Sequence, residues 1–212
     1  MRAAVVSCHV ERILDDRAWA ALSRLLSRRP GGFRIATLVR PPDGEPEAPW
    51  LERVRTLDVP FGLHTHWTSP THARPTDGDP AERVRRDIAW LRERGLEPGY
   101  FAGGGWYTDG AVRAVVADAG LVDVTATTFA LPYGGGRVVS GPAAGVLPAT
   151  HTIGMLARAL RLPEYVHVYF HDTDLLDRRR AAALELGLRL LGVRRPVTDL
   201  DELSRAFGRS RR

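Results

Sequence analysis

The 212-residue chain contains no lysine, no asparagine, no glutamine and a single cysteine. Without lysine there is no Schiff-base amine and no phosphate-loop or kinase-type ammonium, so the chemistry that depends on them is excluded. One thiol, Cys8, cannot form an intrachain disulfide or a multi-thiolate zinc site. Placed at the end of an apolar run, it reads as a packing residue rather than a nucleophile. Long apolar runs are also missing, so no membrane span is expected. The opening VVSCHVERILDD is interrupted by charge too early for a signal peptide, which gives a cytoplasmic expectation. The 30 basic residues, all arginine, exceed the 25 acids by five but are scattered among them with no interleaved aromatics, which argues against nucleic-acid binding.

What is present is an ordinary globular composition, 44% hydrophobic and 26% charged, long enough for one sizeable core. Ala3 to His9 reads as a strand and Asp15 to Arg28 as a helix, with Trp19, Leu22, Leu25 and Leu26 at helical spacing. Further strands are expected over Phe33 to Val39, Val59 to Trp67, near Tyr100, over Leu121 to Thr127 and over Tyr165 to His171. Between them lie helices at Trp50 to Leu57, from Pro80 through Leu91, at Asp109 to Ala119, near Ile153 to Leu160, and over Leu175 to Leu191. A hairpin-like insertion is expected at Gly134 to Gly136. Such alternation, with no linker and no repeat, predicts one α/β domain over residues 1–212: a distorted or incomplete (β/α) barrel with parallel strands. No glycine-rich dinucleotide fingerprint follows the first strand, which disfavours an open doubly wound sheet.

Six of the seven histidines fall at or beside the C-terminal ends of these strands, where barrel enzymes assemble their sites. By the period-two rule His9 shares a face with Glu11, His64 with His66, and His167 with His171. Two imidazoles on one strand face, with a carboxylate and a water, make an open shell for a divalent metal. His72, six residues after His66, is an alternative second imidazole, and one member of the HTH pair can equally be a hydrogen-bonded structural histidine. His151 and His167 read as structural or substrate-facing. His171, where the apolar VHVYF meets a polar turn with Asp172 and Asp174, suits a general acid, while Asp174 also suits a helix cap. FAGGGWYTDG combines a backbone that a ligand can approach closely with two rings, Trp106 and Tyr107, that can stack on a sugar. It lacks the Lys-Ser/Thr of a phosphate loop.

Taken in order, these motifs resemble the polysaccharide deacetylases, carbohydrate esterases of the NodB-homology type. VVSCHVE at 5–11 looks like the family's first motif (TFDD or SxDxE), GLHTHW at 62–67 like its histidine motif, FAGGGWYTDGAV at 101–112 like its groove motif, and VHVYFHDTDLLD at 166–177 like its last. The resemblance implies a divergent member that removes an acetyl group, N-acetyl foremost, from a carbohydrate or glycan with a divalent metal, zinc by preference. It implies His64 with His66 or His72 as metal ligands, Glu11 as a further ligand or the base, His9 as the base or a third ligand, and His171 as acid. Trp106, Tyr107, Trp67, His151 and Asp172 would meet the substrate. His9 stands where the family has a catalytic Asp, Thr68 where it has its second metal histidine, and Ala102 where it has a groove arginine. These departures support an alternative, a metal-free barrel that binds a sugar or a partner.

Overall fold

A computed structural model describes residues 3–125, 142–160 and 164–209. Its strands are β1 (Ala3–Val10), β2 (Ala36–Val39), β3 (Phe61–Thr65), β4 (Tyr100–Gly103), β5 (Val122–Asp123) and β6 (Tyr165–His171). The helices are α1 (Asp16–Arg28), α2 (Glu47–Val54), α3 (Pro80–Glu93), α4 (Gly110–Asp118), α5 (Leu156–Ala159), α6 (Arg178–Arg194) and α7 (Leu200–Arg209). All six strands are parallel in the order β5-β4-β3-β2-β1-β6, and they curve into an open half-barrel, the incomplete barrel that the alternation implied.

Local chemistry sets the element ends. Asp15 caps α1 by accepting the Arg17 and Ala18 N–H groups, Asp79 caps α3 ahead of Pro80 at its first position, and Asp177 caps α6. The expected strand Phe33 to Val39 is shorter than its apolar run. Pro30–Gly32 forms a 3-10 turn, and Phe33 and Ile35 are buried in the core before β2 begins at Ala36. α7 was not expected at all. The Gly134–Gly136 insertion lies outside the described residues.

Strand alternation divides the interior in two. Ala4, Val6, Cys8 and Val10 of β1, with Leu63, Phe101, Val166, Val168 and Phe170, face outward into the layer beneath the helices. Each fully buried Leu, Ile or Phe in that layer contributes about 1.5–3 kcal/mol, so the outer layer carries the fold. The alternate residues face the barrel axis. At one end Ala3, Val5, Ala36, Leu38 and Tyr100 are closed off by Leu200 and Leu203 of α7. At the other end the inward residues become Ser7, His9, His64 and His171. The axis thus runs from an apolar plug to a polar mouth at the C-terminal strand ends.

Candidate metal centre

The mouth is a cleft of about 430 Å³, walled by His9, Glu11, His64, His66, Trp106 and His171 together with Tyr169, Gly103, Gly105 and the 71–74 loop. Registry brings the histidines together: His9 pairs with His171 across β1 and β6, while His64 lies on β3 opposite Ala102 of β4. Glu11 follows β1 directly.

Glu11, His64 and His66 have ligand atoms all within 4.8 Å of one another. The Nε2 atoms of His64 and His66 are 3.2 Å apart, and Glu11 Oε1 lies 3.7 Å from the first and 3.3 Å from the second. What the other ring nitrogens do decides the meaning of this cluster. His64 Nδ1 donates to the Ala102 carbonyl at 3.0 Å, and His66 Nδ1 donates to the Pro70 carbonyl at 3.0 Å. A carbonyl only accepts, so each neutral ring carries its proton on Nδ1 and aims a lone pair from Nε2. With both rings neutral, two nitrogen lone pairs and a carboxylate converge with no donor between them, a set that a cation completes. Backbone carbonyls that fix the ring tautomer are the usual outer shell of a histidine–metal site. Burial lowers the His64 pKa despite the opposing pull of Glu11, which favours the neutral ligand form. Burial pushes the Glu11 carboxyl upward, but hydrogen bonds accepted from His64 and His66 in their protonated forms outweigh this and hold it well below its usual range; Glu11 is therefore a carboxylate, and a cation held by the neutral rings would take the place of those protons. This donor set fits a divalent cation.

His9 stands beside the trio without joining it. Its ring centroid is 4.3 Å from that of His64 and 5.3 Å from that of His171, and among the described residues its buried Nε2 has no hydrogen-bond partner. Burial, then the neighbouring His64 and His171, push its pKa well below the ordinary value, so His9 is neutral. His171 is about a third exposed, with Nε2 3.6 Å from Glu11 Oε1 and Nδ1 3.9 Å from Asp174 Oδ2. Asp174 also accepts the His171 backbone N–H at 2.9 Å, which fixes the residue at the cleft rim.

Several expected site residues lie elsewhere. His72 sits on the exposed rim, in the turn where its carbonyl accepts the Thr68 and Ser69 N–H groups, and is outside the trio; His66 is the histidine brought to His64. Of the expected aromatic wall only Trp106 faces the cleft. Trp67 donates its indole N–H to Gly104 and packs edge-on against Tyr107, whose hydroxyl donates to Asp109 at 2.7 Å. These two rings brace the glycine turn from behind. His151 is buried beside Thr150 and does not line the cleft. Asp172 is 1% exposed, and its carboxylate accepts the backbone N–H groups of Arg12, at 2.8 Å, and of Glu11. It is turned into the protein to hold the Glu11 peptide, not toward a substrate. On the other side of that peptide, Arg40 Nη2 donates to the Glu11 carbonyl at 3.4 Å.

Tyr169, Arg40 and Arg74 were missed by the sequence reading. Tyr169 stacks on His9 with centroids 5.6 Å apart. It lies two residues before His171, so the alternation that selected His171 also pointed to it. Arg40 continues the inward face of β2 after Leu38. Trp106, a non-glycine residue at φ 61°, holds its ring 4.4 Å from that of Tyr169 and 5.4 Å from that of His9. Backbone strain of this kind, about 1–3 kcal/mol, persists only where surrounding contacts enforce it.

No protein-family model matches the chain, and no curated protein is similar to it in sequence. Solved structures are similar. A family 4 carbohydrate esterase from Streptomyces lividans, in complex with acetate, superposes with TM-score 0.55 at 16% identity, over 91% of this chain and 88% of its own. A candidate polysaccharide deacetylase from Mycobacterium smegmatis gives 0.62 at 14% identity, over 98% of this chain and 90% of its own. A pseudoenzyme of the same esterase family from Bacillus anthracis gives 0.61 at 12% identity, over 96% of this chain and 65% of its own. The chain thus spans about two thirds of the pseudoenzyme's length. Half-barrel, strand order and these superpositions together identify the fold of this chain as that of the family 4 carbohydrate esterases, the polysaccharide deacetylases, in a form divergent in sequence.

Proposed function

We propose that the protein is a metal-dependent hydrolase that removes an acetyl group, an N-acetyl group foremost, from a carbohydrate or glycan. The observation that carries this reading is the convergence of two imidazole lone pairs and one carboxylate on a single point at the floor of an open cleft. Glu11, His64 and His66 would hold a divalent cation, with zinc the best match to a nitrogen-rich, three-ligand set. When bound, such an ion polarises a carbonyl and lowers the pKa of a water.

The remaining residues divide the other tasks. Glu11 is the only carboxylate lining the cleft among the described residues, so as a ligand it leaves proton abstraction to an imidazole. His9 is suited to this because it is neutral and its buried Nε2 is uncommitted. His171, at the rim, protonates the departing amine, a step that amide cleavage requires because a free amide anion is a very poor leaving group. Trp106 offers a flat surface to the apolar face of a pyranose.

The single cleft carboxylate also favours a second reading, a non-catalytic carbohydrate-binding barrel. The family 4 fold includes the pseudoenzyme from Bacillus anthracis, a mutant of which has restored enzymatic activity. Acetate release from chitooligosaccharides, peptidoglycan fragments and nucleotide-linked acetamido sugars, with zinc supplied, separates the two. Release from at least one substrate, abolished by His64→Ala, is expected. Silence across the panel from metal-loaded protein would favour the binding module.

A further inference from the structure

Arg74 lies in the loop after β3 and lines the same cleft as the histidines. Its Nε donates to the Gly105 carbonyl at 3.0 Å. The aliphatic stem lies directly on Gly105: a Cβ built there would meet Arg74 Cγ at 2.4 Å, and the Gly105 φ of +57° itself favours glycine. The position after the β4 turn therefore admits Arg74 only because it has no side chain. Thr68 adds a second tie, its hydroxyl donating to the Arg74 carbonyl at 2.7 Å.

A guanidinium anchored through Nε presents its two terminal nitrogens as a pre-set fork. Arg74 is exposed at the cleft rim, and among the described residues no carboxylate lies within salt-bridge distance of it, whereas Arg34, Arg40, Arg53, Arg83 and Arg94, away from the cleft, are each paired with an acid. Glu11, the one acid of the cleft, is taken up by His64 and His66. Arg74 is thus a positioned cation facing the ligand space with nothing in the described protein to neutralise it.

We propose that Arg74 forms a subsite for an anionic group carried by the glycan, a carboxylate or phosphate ester on a sugar close to the acetylated one. This rests on the carbohydrate reading of the cleft and narrows it to acidic acetamido glycans. Two parallel N–H···O bonds to a pair of anionic oxygens are the strongest contact this fork makes. Because the side chain is already fixed, little ordering entropy is lost on binding. Trp106, adjacent to Gly105, would carry the sugar face while Arg74 takes the charge.

The test is calorimetric binding of three probes to the zinc-loaded protein: neutral chitotetraose, C6-carboxylated chitotetraose and chitotetraose 6-phosphate. The wild type should bind at least one acidic probe about tenfold more tightly than the neutral one, and the probe preferred identifies the anion. Arg74→Met should remove that preference, Arg74→Glu should reverse it, and Gly105→Ala, which displaces the stem, should weaken it. Equal affinity for all three probes, no binding of either acidic probe, or a preference that survives Arg74→Met would overturn the subsite. The deacetylase reading is read separately from acetate release: an acidic preference without hydrolysis leaves the subsite standing and rejects the enzyme.

Discussion

Two sets of histidines occupy the inward face of this half-barrel, and they differ in what meets the second ring nitrogen. Deeper in, His167 has Nδ1 against the Leu147 carbonyl at 3.0 Å and Nε2 against the Ser7 hydroxyl at 2.8 Å, so both nitrogens are satisfied. At the mouth, His64 and His66 also bind a carbonyl through Nδ1, but their Nε2 atoms face each other and Glu11. A hydroxyl adapts to either tautomer; another lone pair does not. His167 is complete as folded, with both ring nitrogens bonded, whereas the mouth is complete only with a positive charge added. Proximity to a strand end does not separate a structural histidine from a ligand. The partner of the second nitrogen does.

The largest effect that sharpens this contrast is expected at the mouth. His171→Ala should slow release of acetate from an amide by about two to four powers of ten, with a smaller loss on an activated acetyl ester, whose leaving group needs little protonation. Metal affinity should barely change. Equal losses on both substrates, or release of the metal, would make His171 a ligand or a structural prop.

A smaller effect is expected behind the ligands. Asp172 and Arg40 hold the two sides of the Glu11 peptide. Asp172→Ala should therefore weaken zinc by about ten- to a hundredfold, the range for lost outer-shell partners, and speed hydrogen exchange at the Glu11 and Arg12 amides. Unchanged affinity together with unchanged exchange would show that the buried carboxylate serves another purpose.

The interior set gives the smallest effect, and it appears as pH dependence. Burial pushes the His167 pKa down from 6.5 to about 4. Between those values the unfolded chain binds a proton that the folded chain refuses, so stability is full above pH 6.5 and is lost as pH falls toward 4. The loss from this one group is about 2 kcal/mol by pH 5. Urea midpoints at pH 7 and pH 5, together with the ring titration by NMR, measure it. A His167 ring that titrates near 6.5 would contradict its place in the interior set.

Much of this was legible from residue order. Alternation of apolar runs gave the parallel α/β half-barrel, and the spacing of two placed His64 and His66 on one face with Glu11 within reach. His9 and His171 were likewise expected at strand ends facing one mouth; that their strands are neighbours, with the two histidines paired in register, is shown by the structure. Other features depended on contacts that no local pattern encodes. Tyr107 and Trp67 look like wall residues in sequence, but their polar atoms are claimed by Asp109 and Gly104, which turns them behind the loop. Asp172 follows the candidate acid and reads as substrate-facing, yet the backbone N–H groups of Glu11 and Arg12, in the turn after β1 about 160 residues away, draw it inward. α7 did carry a signal, with Leu200, Leu203 and Phe207 at helical spacing and Asp199 accepting the Glu202 N–H, but its role as the plug of the barrel is a tertiary fact.

The central claim is that Glu11, His64 and His66 form a divalent-metal site, and titration of the chelator-treated protein with zinc tests it most directly. One equivalent should bind to the wild type, with affinity at least a hundredfold weaker in both His64→Ala and Glu11→Gln, and cobalt in place of zinc should give the visible absorption of a low-coordinate nitrogen–oxygen site. If zinc, cobalt, nickel and manganese all fail to bind, or if His64→Ala leaves the affinity unchanged, the converging lone pairs do not constitute a metal site and the account is wrong.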